Sequence, residues 1–170
     1  MELIPTILRG LQLLWILLLT ALIGNVIATN VNAAGSATAA INFSMFVIVI
    51  SWLVTIYGLA TSFVDRIAIP MALLAADGVA VLFTFISAIV LAAKLGVANC
   101  SSTEDKGGSW IGYGSLDDGK RCREIQASTV FMWFLFISFT AGLVLTYLGF
   151  RRGGGSVSGR SGPSMSQVRV

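Results

Sequence analysis

The sequence predicts an all-α membrane protein, a four-helix transmembrane bundle, and two observations carry that expectation. Of 170 residues, 56% are hydrophobic and only 11% charged, against about 25% charged in an ordinary soluble domain. The few charges are also segregated. None falls between Arg9 and Asp65, and none between Ile125 and Phe150. A spanning helix needs about 20 mainly apolar residues, so the first gap holds two helices and a turn. Such a chain is neither a soluble globule, a disordered polymer nor a nucleic-acid module. Its net charge of +3 is too small to attract polyanions.

The first apolar run extends from Ile4 to Ala28, with Pro5 in the first turn, where its missing N–H is not needed. It ends at the turn formers Thr29-Asn-Val-Asn-Ala-Ala-Gly-Ser36. The Val-Asn-Ala-Ala stretch around Ala33 also resembles a signal-peptidase site. The apolar run is longer than a signal h-region of roughly 7–15 residues and contains Arg9, which favours a retained anchor. The second run, Ile41 to Phe63, is rich in β-branched residues, but its length and lack of alternation suit a spanning helix. Asp65-Arg66 marks a short connection. Pro70 opens the third run, which continues to Leu95, and the fourth goes from Gln126 to Phe150. The expected division is a four-span domain over 1–150 and a Gly/Ser-rich, disordered cytoplasmic tail over 151–170. The tail serines near Arg160 are either phosphorylation targets or plain solvated spacer.

Orientation follows the basic residues near span ends. Arg151, Arg152, Arg160 and Arg169 follow the last span with no acid among them. With four spans, both termini are expected in the cytoplasm. The long loop, Gly96–Ile125, then faces outside, its basic residues offset by five acids. Cys100 and Cys122, the only cysteines, both lie in it. An outward loop and a Cys100–Cys122 disulfide are mutually consistent, because disulfides persist in oxidising compartments. Unpaired thiols are the alternative. Without histidine, two cysteines cannot complete a zinc site, and no metal site is expected. Asn99-Cys100-Ser101 matches a glycosylation sequon at Asn99, placed unfavourably at the membrane end of helix three. Trp110 and Tyr113 suit the headgroup layer, a partner, or loop packing.

Asp77 lies seven residues past Pro70, roughly 10 Å into the third helix at 1.5 Å per residue. An acid there is costly and normally faces the bundle interior with a partner. Arg9 enters from the same side at a depth differing by about one helical turn. Gln12 and Tyr57 fall at comparable depth. A polar cluster of Arg9, Gln12, Tyr57 and Asp77 is therefore expected. It serves either as a proton or substrate site or as an interhelical tie. The lack of a second carboxylate or histidine favours the tie. Lys94, at the far end of helix three, suits snorkelling. Small residues recur at Thr20, Gly24 and Ala28, at Ala72, Ala76 and Ala80, and at Ser138, Gly142 and Thr146. Such stripes let helices approach closely, within a chain or between copies.

Four short-looped spans with a two-cysteine loop before the last resemble the MARVEL class. Asp77-Gly-Val-Ala-Val-Leu-Phe83-Thr84-Phe85 is similar to the third-helix pattern of its fungal nonclassical export branch. Arg121-Cys122-Arg123-Glu-Ile-Gln126-Ala127 resembles that branch's entry to helix four. Ile7-Leu8-Arg9 and Ser166-Gln167-Val168 resemble its opening and ending. Ala80 stands where a yeast-like pattern has Asn, the outer loop has its own Gly-rich filling, and Arg169-Val170 extends the ending. The resemblance implies a plasma-membrane protein of eisosome-type microdomains, linked to sphingolipid status, membrane organisation and unconventional export. Implied partners are lipids of a sphingolipid- or sterol-rich bilayer, further copies of the chain, and cytosolic eisosome scaffold proteins. No cofactor is expected beyond bound membrane lipid, and no nucleic acid. Three functions compete: a non-enzymatic membrane organiser, a small transporter or channel using Asp77, and an accessory subunit of a membrane enzyme.

Overall fold

The computed structural model describes residues 3–63, 70–96, 100 and 110–152. Four helices account for most of them: α1 (Leu3–Ala28), α2 (Gly35–Phe63), α3 (Pro70–Leu95) and α4 (Asp118–Arg152). Each contains a segment long and apolar enough to cross a membrane: Ile4–Ala28, Gly35–Thr61, Met71–Leu95 and Asp118–Gly149. The first two residues of the expected tail, Arg151 and Arg152, end α4; the remainder, 153–170, the Asp65-Arg66 connection and Asn99 lie outside the described residues.

The helices form a ring. α1 packs on α2 and α4, and α3 packs on the same two; α1 and α3 face each other across the diagonal without backbone contact. Residue pairs show the antiparallel sense. Asn25 of α1 meets Glu124 of α4, whereas Gln12 meets the Ser138 carbonyl further along. The inward face of α1 is Arg9, Gln12, Ile16, Leu19, Ile23 and Val26. Its spacing alternates between three and four, the seam of left-handed helix packing. α3 repeats the pattern with Asp77, Ala80, Thr84, Ser87 and Leu91. The opposite faces carry exposed Leu14, Leu17, Phe46, Leu53, Leu82 and Ile137. In water such a surface would aggregate; in a bilayer it is the natural solvent-facing side.

Two boundaries differ from expectation. α2 begins at Gly35 rather than Ile41, because Ala37 and Ala40 are small enough to pack and are buried. α4 begins at Asp118 rather than Gln126. Asp117 caps it, its Oδ1 accepting the Lys120 N–H at 2.9 Å. The charged stretch that followed the cap looked like loop. Arg121, Cys122 and Ile125 nevertheless recur at helical spacing, and all three are buried.

The apolar medium also explains the hydroxyls. Ser51, Thr84, Thr129 and Thr140 each donate to the carbonyl four residues earlier, which satisfies them within their own helix. Hydroxyls also join neighbouring helices: Trp52 Nε1 donates to Thr20 Oγ1 at 3.0 Å, and Ser87 Oγ to Ser44 Oγ at 3.1 Å. Of the small-residue stripes, Ala80, Ser138 and Gly142 face inward, whereas Ala28 is exposed and Gly24 borders open space.

Candidate functional site

The bundle holds a polar group at each end. At the end where α1 begins, Arg9 Nη1 donates to Asp77 Oδ1 at 2.8 Å and Nη2 to Oδ2 at 2.7 Å. The fork is bidentate, the strongest geometry for such a pair. Arg9 is 6% exposed and Asp77 0%. Arg9 Nη1 also donates to Gln12 Oε1 at 3.0 Å, and Gln12 Nε2 donates to the Ser138 carbonyl at 3.1 Å. The pair crosses the diagonal between α1 and α3, where the backbones do not meet. α2 makes room for it at Gly58: a Cβ there would lie 2.5 Å from Arg9 Cζ and Nε. α1, α2 and α3 thus meet at one guanidinium, and Gln12 links it to α4.

Arg9, Gln12 and Asp77, expected together, are brought together. Tyr57, the fourth expected member, is half-buried one residue before Gly58, while the Arg9 guanidinium bonds to Gln12 and Asp77. Gly58, which no sequence pattern singles out, gives the guanidinium its room. The Ser138 carbonyl carries no sequence signal at all.

The second polar group was not foreseen. Arg121, named only as part of a motif, is 2% exposed. Its Nε donates to the Ile111 carbonyl at 3.2 Å, and its Nη1 to the Val26 carbonyl at 3.3 Å and Asn30 Oδ1 at 3.5 Å. Val26 lies in the last turn of α1, where carbonyls lack helical partners and a cation is favoured. Arg121 therefore ties the end of α1 to the start of α4. Asn25 Nδ2 donates to Glu124 Oε1 at 2.7 Å beside it. A usable signal existed, since Arg121 stands four residues before buried Ile125, on the same helix face.

The Cys100–Cys122 disulfide is formed, with Cα atoms 5.7 Å apart, and Cys122 is fully buried. Trp110 Nε1 donates to the Leu95 carbonyl at 3.0 Å, closing the end of α3. Trp110 is thus engaged in loop packing, while Tyr113 is 42% exposed. Val31 and Asn32 donate their N–H groups to the Gly114 carbonyl at 2.8 and 3.2 Å. Gly114 has φ +107, and a Cβ there would come within 2.5 Å of the Ala33 backbone. Only glycine fits that junction.

The remaining motif residues do not converge. Phe83 meets Phe43 and Phe46 of α2, and Phe85 meets Trp133 and Phe136 of α4. Thr84 is buried on its own helix. Arg123 is exposed, Ala127 is half-buried, and Gln126 Oε1 lies 3.8 Å from Cys100 Sγ. Lys94 is exposed in the last turn of α3, and Arg151 lies 5.9 Å over the Tyr147 ring. No group of three or more metal-ligating residues occurs among the described residues.

Comparison with known proteins agrees with this architecture. The MARVEL family model, described as a membrane-associating domain, matches residues 2–145. The chain is also 26% identical over 179 residues to non-classical export protein 2 of Saccharomyces cerevisiae, covering 99% of each chain. No solved structure matches.

Proposed function

The chain belongs to the MARVEL family of membrane-associating proteins, a multi-pass protein with four spans, and from that premise we propose a non-enzymatic organiser of membrane domains. It self-associates, responds to sphingolipid content, and resides in eisosome-type microdomains of the plasma membrane, with both termini cytoplasmic and eisosome scaffold proteins as cytosolic partners. Its relationship to non-classical export protein 2 supports this, and one structural observation carries it. Asp77, the acid a transporter would use, is 0% exposed, with both oxygens engaged by Arg9. A coupling group must exchange protons or ions with water; a fully paired one holds helices in register. The chain then offers its surroundings mostly lipid-facing helix surface, including the Gly24 stripe of α1 for contact with another copy.

The test is lateral distribution. Fluorescently tagged protein should form clusters that disperse on sphingolipid depletion, while proteoliposomes show no solute or ion flux. Flux that disappears in Asp77→Asn would replace this function with transport, the second function the buried acid suggests.

A further inference from the structure

At the end opposite the Arg9–Asp77 pair, the end of α1 and the start of α4 line a cleft of about 380 Å³. Its charged lining is Asp117, Lys120, Arg121 and Glu124. Asp117 caps α4 and the other three stand in its first two turns, two cations between two carboxylates along the chain. Val31 and Leu116 complete the rim; they are 60% and 96% exposed, although apolar.

These charges are only partly used. Nε and Nη1 of Arg121 make its hydrogen bonds. Nη2 bonds to no described residue, and the side chain, although 2% exposed, lines the cleft. Lys120 Nζ lies 3.9 Å from Glu124 on a side chain 64% exposed, too loose a contact to hold either charge. Glu124 Oε1 accepts from Asn25 and Asp117 Oδ1 from the Lys120 N–H. The second oxygen of each carboxylate has no partner among the described residues. The cleft thus presents spare donors and spare acceptors together, with no net charge.

We propose that this cleft binds the zwitterionic headgroup of a membrane phospholipid, its phosphate on Arg121 and Lys120 and its ammonium on Asp117 and Glu124. A simple anion would meet two carboxylates, and a simple cation two basic groups; a ligand carrying both charges meets neither cost. The exposed apolar rim, where two spans end, selects a headgroup held at a bilayer over a soluble zwitterion. The site requires only the bilayer of the membrane-organising function. Headgroup selection can fail while clustering persists, so the two failures are distinguishable.

Native mass spectrometry of the full chain in mild detergent tests this, with phosphatidylcholine, phosphatidylglycerol and diacylglycerol of matched tails and soluble phosphocholine as competitor. Phosphatidylcholine should be retained over the other two lipids. Lys120→Gln should weaken its retention, and Glu124→Gln should narrow the choline-to-glycerol ratio, each about tenfold, the scale of one charge-assisted hydrogen bond. Both variants spare Arg121 and its tie to α1, and an intact Cys100–Cys122 bridge with unchanged melting verifies folding. Equal retention of the three lipids, or unaltered retention in both folded variants, would overturn the proposal. Displacement by phosphocholine at lipid-like concentrations would overturn it too, making the occupant soluble.

Discussion

Among the described residues Asp77 has no partner but Arg9 at a depth where water cannot substitute, and that sets the cost of altering either one. Breaking a buried pair from one side costs roughly 3–5 kcal/mol, whereas replacing both partners with apolar groups is often neutral. Asp77→Asn should therefore lower the unfolding midpoint strongly in detergent, while Arg9→Met with Asp77→Leu recovers most of the loss. If Asp77→Asn melts, traffics and assembles like the parent, the pair does not hold the bundle. Thr55 shows the reverse effect. Its Oγ1 is the one buried side-chain polar atom without a partner among the described residues. An unsatisfied hydroxyl costs about 1–3 kcal/mol, so Thr55→Val, nearly isosteric, should stabilise the fold. A lower midpoint would mean that the hydroxyl is hydrogen-bonded in the folded protein.

At the scale of elements, close approach is decided by glycines that look interchangeable in the sequence. Gly58→Ala on α2 would drive a methyl group into the Arg9 guanidinium, and the expected result is a lower midpoint through loss of the bidentate geometry. Gly10→Ala on α1 meets nothing within 4 Å, so it should be neutral or gain up to about 1 kcal/mol of helix propensity. Equal behaviour of the two alanine variants would mean that α2 does not press on the pair. The start of α4 follows the same logic. Its first two turns are charged, yet Arg121 is drawn inward because the carbonyl end of α1 needs a cation there.

For the whole molecule, the helix ring lacks the usual driving force, since lipid is as apolar as the core. Stability then rests on packing seams and on ties at the two ends. Arg9 joins α1, α2 and α3 at one end, with Gln12 reaching α4; Arg121 and the Cys100–Cys122 bridge join the helix termini and loops at the other. Closing a 22-residue separation contributes about 3 kcal/mol in the chain-entropy model. Cys100→Ser with Cys122→Ser should lower the midpoint accordingly, and reductant should do the same to the parent. No change on reduction would place the bridge's stabilising role elsewhere.

The sequence by itself determined four spans, the meeting of Arg9 with Gln12 and Asp77, and the pairing of the only two cysteines. Each rests on a constraint local to the chain: span length, the cost of a charge at known depth, or the absence of any other thiol. Tertiary structure alone decided that the ion pair crosses a diagonal, that Gly58 lies against the guanidinium, and that Arg121 is buried. Those outcomes depend on which backbone carbonyl or vacant Cβ position a neighbouring helix presents. Every residue has a carbonyl, and a glycine's empty space has no pattern along the chain, so only the assembled ring could assign them.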